Sequence, residues 1–453
     1  MKTIYDNVHQ QYTSWPDCLL QIINTTEFQR LKRIKQLSAC HHVFPGATHT
    51  RFEHSLGVGH LAATFIRKLA QNHKDLDFVV PGMPASGIEE VILTFQLAGL
   101  CHDLGHGVLS HGFDQFLHEC DPSLPAHEER SVSLLRHIVA KYSVDLPSQI
   151  LHVACELIHP QHNLDDMLPM WWYQIIANDH DSIDVDKFDY LKRDAKALGL
   201  SDMSLDIDRF MEYARICKVH TNDTSTESTT TNLCIAYPHK LQYDINQLFI
   251  ARHRLHAQVY QHSVVRAIER MLQDVLKCIK VILLEDLTEF STRPELFIKW
   301  TDDIFTNSYI RLLEKQNILS EDNANHACKL LEAIDRRQLY TLLTEVKVPR
   351  RDIDTSSVAS AKASTKDDKE LYSQIYAQHA SSLDTQFGQN QWYIDTVQIG
   401  YELNPLYHVR FYEKTQTTTK LHMASHMPFQ QSSYTFPICS KDRVYRIYAK
   451  NKP

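Results

Sequence analysis

Apolar residues recur at three- and four-residue steps over most of the first 345 residues, the period of helices that each bury one face. A chain of 453 residues is long enough for a large core and more than one domain. Past the helical stretch the pattern changes. WYIDTVQIGY, YHVRFYEK and RVYRIYAK are rich in aromatic and β-branched residues, which suit strands. The expected architecture is mainly α: a helical core over 1–345, a linker over 346–375, and a smaller α+β C-terminal lobe over 376–453.

Local signals refine this outline. Asn24-x-x-Glu27 has the form of a capping box before a helix carrying Phe28, Leu31 and Ile34. A second helix starts near Phe52, with His54, Val58, Leu61, Phe65 and Leu69 on one stripe, so His54 points toward the core. A third starts near Glu89 and runs through Val91, Phe95 and Ala98 toward His102 and His106, with Gly105 and Gly107 as its stop. The helical pattern from Ile245 to Leu284 is too long for one globular helix, which predicts a kink or break. Thr221 to Asn232 and Arg350 to Lys369 read as polar loops.

Several function classes are excluded early. Only 12 glycines are present, and neither G-x-G-x-x-G nor G-x-x-x-x-G-K-[ST] occurs, which removes the two commonest nucleotide-binding loops. A net charge of −8 argues against a protein that coats nucleic acid, although Phe28 to Gln36 is locally basic. The ten cysteines form no C-x-x-C pair, so a reducing compartment is expected rather than a disulfide framework. With no apolar signal core and no bilayer-length apolar run, the chain is expected to be soluble and intracellular, in cytoplasm or nucleus.

Chemistry concentrates in AGLCHDLGHGVLSHGFD (Ala98 to Asp114), where three histidines and two aspartates fall within seventeen residues. Adjacent His102 and Asp103 offer a nitrogen and an oxygen that suit Zn²⁺, Fe or Mn²⁺ better than Ca²⁺. Leaving Asp103 uncompensated beside an apolar stripe would cost several kcal/mol, roughly, so a bound cation is favoured. Further ligands are needed. His54 faces the core, though a lone core histidine is more often structural. Asp186, Tyr190 and Asp194 share one helical face in IDVDKFDYLKRD, a pattern that is more often a solvated face than a site.

FPGATHTRFEHSLGVGHLA, AGLCHDLGHGVLSH, HEERS and IDVDKFDYLKRD occur in the order found in the HD-domain deoxynucleoside triphosphate (dNTP) triphosphohydrolases, and the chain resembles that family from about Ile4 to Lys450. It looks most like the animal branch that also carries a SAM domain, but without that domain. The resemblance implies metal ligands at His54, His102, Asp103 and Asp186, with His106 as general acid and Asp114 and Glu128 as its orienting carboxylates. It places His111 and His127 beside the phosphates, and Arg51, Lys187 and Arg252 as triphosphate clamps. Gln36 and Asp194 resemble the pair that holds the sugar 3′-hydroxyl, and Tyr190 a gate under the sugar ring. Leu37 and Tyr260 resemble walls of the base pocket, and His256 and Gln261 are further substrate-binding candidates. Mg²⁺ would accompany the triphosphate.

The same resemblance implies a dimer or tetramer controlled by GTP and dNTP activators, but here the match weakens. Gln29, Arg215 and His262 are retained. Lys32 stands where an arginine is expected, Asn24 where an aspartate is, and Ser263 where a lysine is, so planar bidentate contacts and an acceptor-only carboxylate are lost. Two other readings remain open at this point. One is an HD phosphohydrolase acting on another nucleotide; the other is a catalytically silent scaffold that binds single strands through Lys32 and Arg33.

Overall fold

A computed structural model describes residues 2–161, 168–200, 203, 205–222, 229–290, 292–348, 361–400, 405–413, 424–426 and 442–450. The chain forms two compact units that interleave along the sequence. The first comprises Met1–Arg252, Lys280–Ile304 and Pro405–Thr435; the second comprises His253–Ile279, Phe305–Asn404 and Phe436–Pro453.

The first unit is mainly helical. It begins with an antiparallel hairpin, Lys2–Asp6 against Gln11–Trp15, in which Tyr5 faces Tyr12. Its centre is the Arg51–Asn72 helix, packed against the Ile88–Cys101 and Val185–Ala197 helices. The first of these contacts is close because neither backbone carries a side chain at the crossing. A Cβ on Gly99 would lie 3.0 Å from the Val58 carbonyl oxygen and 3.2 Å from Gly59 Cα. Val58, Phe65, Leu69, Val91, Phe95 and Ala98 are all fully buried, as their spacing predicts. A four-stranded sheet completes the unit, in the order Arg215–Asn222, Thr229–Pro238, Arg410–Tyr412, Ala424–His426.

In the second unit, the Asp442–Ala449 strand is the centre of a three-stranded antiparallel sheet, flanked by Thr341–Val348 and Trp392–Ile399. Ile375 and Leu383 of the Ala361–Phe387 helix pack with Trp392, Tyr445 and Ile447 to form a small core. The aromatic segments are therefore strands, but they divide. WYIDTVQIGY and RVYRIYAK pair with each other, while YHVRFYEK contributes Arg410–Tyr412 to the other sheet.

Local readings met mixed outcomes. The Ile245–Leu284 pattern is broken, into Gln242–Leu255, a π-helical turn at His256–Tyr260, Ser263–Cys278 and the start of Lys280–Thr288. The Asn24 capping box does not form. Thr25 is the cap, accepting from the Phe28 amide at 3.3 Å, because Glu27 is buried and drawn off to Lys141 and Tyr142. A tertiary ion pair outcompetes the local cap. The third helix ends at Cys101, ahead of the two glycines. Residues 221–222 and 229–232 are strand rather than loop, since β-branched threonines suit a ladder; the rest of that segment lies outside the described residues. Likewise the polar run to Lys369 is helical from Ala361 onward.

Candidate metal centre and active site

Four side chains from three helices meet at one point. Thr50 and Glu53 cap the Arg51–Asn72 helix reciprocally, which places Arg51 in its first turn and His54 one step further along, facing inward. His102 and Asp103 follow directly on the end of the Ile88–Cys101 helix, and Asp186 lies in the first turn of the Val185–Ala197 helix. His54 Nε2 lies 3.0 Å from Asp186 Oδ1 and 3.3 Å from Asp103 Oδ2. His102 Nε2 lies 3.5 Å from an oxygen of each.

The other nitrogen of each ring is already committed. His54 Nδ1 donates to Asp189 Oδ2 at 2.8 Å, and His102 Nδ1 to the Gly99 carbonyl at 2.8 Å. That fixes both ring orientations with Nε2 aimed at the carboxylates, protonated toward them when no cation is present and free to ligate when one is. Both Nε2 atoms are buried and neither makes a hydrogen bond. His54, His102 and Asp103 form a cluster that could hold a divalent metal, and Asp186 Oδ1 lies within 3.5 Å of both rings. The charges respond to each other. Burial opposes ionisation throughout, yet the carboxylates hold His54 and His102 above the ordinary imidazole range. Arg51 and the histidines hold Asp103 well below the carboxylate range, and the two histidines do the same for Asp186.

Comparison with known proteins agrees with this centre. Residues 51–194 match the HD domain family, a span that holds all four donors. The chain is 32% identical to the deoxynucleoside triphosphate triphosphohydrolase SAMHD1 of Bos taurus, over 99% of this chain and 75% of that protein. Identity to the Homo sapiens SAMHD1 is 30%, over 99% of this chain and 70% of that protein. A SAMHD1 homolog of Dictyostelium discoideum is 31% identical over 80% of this chain and 63% of that protein. The chain belongs to the SAMHD1 family. Its His/Asp cluster is accordingly the active site of an HD-superfamily hydrolase rather than part of a silent scaffold.

In this SAMHD1-family chain a second histidine cluster adjoins the metal centre. The His106 ring stacks on His127, with centroids 4.0 Å apart and planes at 23°, and meets His111 edge-on at 4.9 Å. Asp114 Oδ2 lies 3.3 Å from His127 Nδ1 and 3.6 Å from His106 Nδ1, while His106 Nε2 lies 3.3 Å from Asp103. Glu128 Oε1 is 3.3 Å from His127 Nε2. Burial, then Arg51 and His127, push His106 well below the imidazole range. His111 opens its helix at the surface, yet the protein mass around it, followed by Arg51 and the neighbouring His127 ring, lowers it to about 4.

The remaining expected residues divide into three groups. Arg51 is buried and ion-paired with Asp103, and its Nε donates to Ser110 Oγ at 3.0 Å. Lys187 Nζ donates to Asp184 Oδ2 at 2.8 Å; burial works against its charge, but Asp184, Tyr190 and Asp186 hold the ammonium above its ordinary value. Lys187, Tyr190 and Asp194 share the helix of Asp186, and Gln36 and Leu37 precede the Ser38–His42 turn. Arg252 lies in the Gln242–Leu255 helix and is the last residue there of the first unit, whereas His256, Tyr260, Gln261 and His262 belong to the second. Of the regulatory set, Gln29 donates to the Ile23 carbonyl at 2.7 Å, Lys32 lies 4.5 Å over the Phe52 ring, and Arg215 donates to Glu212 and Ala214 carbonyls.

Sequence reasoning missed several residues here. His49 bonds Asp194, Asp189 orients His54, and Arg130 pairs with Asp114 while its Nε donates to the Gly105 carbonyl at 2.9 Å. Arg30 donates to the Leu104 and His106 carbonyls at 2.6 and 2.7 Å. Asp189 was visible in the same acidic run as Asp186. The others carried no local signal.

Proposed function

We propose that the chain hydrolyses dNTPs to a deoxynucleoside and inorganic triphosphate, with His54, His102, Asp103 and Asp186 as ligands of a divalent transition metal, Fe, Mn or Zn. The observation that carries this is the pair of orphaned Nε2 atoms facing two carboxylates in a chain of the SAMHD1 family. When bound, the metal would polarise a phosphoryl oxygen and lower the pKa of a water.

The chain's own groups supply the rest. Water attacks the α-phosphorus, the bond to the sugar 5′-oxygen breaks, triphosphate departs, and the 5′-oxygen takes up a proton. Arg51, Lys187 and Arg252 neutralise the triphosphate, with His127 beside it, and Mg²⁺ would accompany the triphosphate. Asp194 and Gln36 hold the 3′-hydroxyl, and Tyr190 excludes a 2′-hydroxyl by contact. Leu37 lies beside the base.

The proton donor has two readings. Family resemblance favours His106, oriented by Asp114 and Glu128. Reach favours His111: His106 is wholly buried with both nitrogens turned toward carboxylates, whereas His111 opens its helix within 4.9 Å of the same ring, where the negative triphosphate would raise an imidazole that Arg51 and His127 otherwise hold low. We also propose a homo-oligomer whose nucleotide activation is weakened. Asn24, Lys32 and Ser263 depart from the expected contacts, and Gln29 and Lys32 are held within the chain.

The test is to incubate the protein with each dNTP and Mg²⁺ or Mn²⁺, with and without GTP, and resolve the products. Triphosphate plus deoxynucleoside is expected. Orthophosphate with a diphosphate would assign a different phosphohydrolase reaction.

A further inference from the structure

The turn of the N-terminal hairpin lies against the back of the metal centre. His9 Nε2 donates to Asp189 Oδ1 at 2.7 Å, and both side chains are nearly inaccessible, at 3% and 0%. The other oxygen of that carboxylate receives His54 Nδ1 at 2.8 Å. Arg193 clamps Asp189 from the side, with Nε at 2.7 Å and Nη2 at 2.9 Å, and the same Nη2 reaches Asp6 Oδ2 at 2.7 Å. Asp6 in turn shapes the turn, accepting the Val8 and His9 amides at 2.7 and 3.0 Å.

Space for this arrangement is specific. Gly57 lies one turn beyond His54, and a Cβ there would fall 1.9 Å from Asp189 Oδ1 and 2.5 Å from Arg193 Nη2. The cluster Asp6, His9 and Asp189 has the spacing of a metal site, but the Arg193 guanidinium already occupies its middle. A second cation there would meet a fixed positive charge. The cluster is a support, and the group it supports is His54.

We propose that His9 is a positioning residue of the metal centre, and that metal binding and docking of the 2–15 hairpin are linked through Asp189. Without His9, Asp189 Oδ1 retains only Arg193, the carboxylate is free to turn toward the guanidinium, and His54 loses the bond that fixes its ring orientation. Losses of an outer partner of this kind weaken metal binding by about 10- to 100-fold. This rests on His54 being a ligand.

The test measures Mn²⁺ affinity by electron paramagnetic resonance of the free ion, and hydrogen exchange of the hairpin amides with and without Mn²⁺. His9→Ala is expected to weaken Mn²⁺ binding at least tenfold. His9→Gln, whose amide nitrogen reaches the position of Nε2, is expected to restore it to within about threefold. Mn²⁺ should slow exchange over residues 2–15 in the wild type and His9→Gln, but not in His9→Ala. If His9→Ala fails to fold, the hairpin exchange of the wild type and the affinity of His9→Gln decide alone. Wild-type affinity in His9→Ala, or hairpin exchange blind to Mn²⁺, overturns the proposal. A wild type that binds no Mn²⁺ instead overturns the reading of the site itself.

Discussion

His49 Nε2 donates to Asp194 Oδ1 at 2.7 Å, tying the segment before the Arg51–Asn72 helix to the last turn of the Val185–Ala197 helix. The His49 carbonyl also accepts the Gln36 amide at 3.0 Å, so one histidine holds both members of the proposed sugar pair. A hydrogen bond to a charged group contributes about 1.5–3 kcal/mol. His49→Ala is therefore expected to lower kcat/KM for dNTPs by at least about tenfold, mainly through KM. Steady-state kinetics on two dNTPs checks this, and an effect confined to kcat would remove His49 from sugar binding.

Metal dependence is testable without turnover. His102→Ala and Asp103→Ala each remove a donor from the proposed ligand set. Both should abolish bound metal, measured by elemental analysis, and lower activity by about a thousandfold or more. Chelation should lower the thermal midpoint of the wild type, since a ligand of the folded state stabilises it, and should leave the midpoints of the two variants unchanged.

The proton donor is separable from its neighbour by the leaving group. Removal of a general acid costs about 10²–10⁴-fold with a poor leaving group and little with a good one. His111→Ala and His106→Ala are compared on a dNTP and on p-nitrophenyl triphosphate. The variant whose defect disappears on the aryl substrate has lost the donor. The geometry predicts His111→Ala, and persistence of its defect on both substrates would return the role to His106.

Arg130 is buried and joins Asp114 to the backbone of the His106 loop at the Gly105 carbonyl and to the segment before its own helix at the Pro125 carbonyl. Arg130→Ala leaves that carboxylate facing only histidines and frees the loop, at a cost of roughly 2–4 kcal/mol. Urea unfolding measures the loss, and Arg130→Lys should recover less than half of it because an ammonium cannot make the forked contacts. A loss below about 0.5 kcal/mol would show the pair to be incidental.

Asp181 carries a pH signature away from the metal. Burial, then the Asp184 charge, push its carboxyl from an ordinary 3.8 up to about 7, against Lys187 and Arg410. A carboxyl raised on folding binds more protons in the folded chain, so stability is highest below the unfolded value and falls as pH rises through that window. Asp181→Asn keeps the acceptor for Asn178 Nδ2 and the Ile183 amide. It should flatten this part of the pH profile and gain roughly 1–3 kcal/mol at pH 8. Equal slopes for variant and wild type between pH 4 and 7 would refute it.

The residue order alone determined the helical core and the buried face of His54, because those follow from three- and four-residue periodicity within single helices. Adjacent His102 and Asp103 raised a metal site as a candidate, and the family resemblance supplied His54 and Asp186 as its further ligands. Only the tertiary structure decided which partners complete the site. His54 and Asp189 are 135 residues apart, His49 and Asp194 145, His9 and Asp189 180. Periodicity constrains neighbours on one helix and is silent about which two helices meet. That meeting was decided where glycine let backbones and carboxylates approach, at Gly99 against Val58 and at Gly57 against Asp189. The same reason explains the misread cap. Asn24 and Glu27 have the right local spacing, but Lys141, 114 residues away, holds Glu27 from outside any local window.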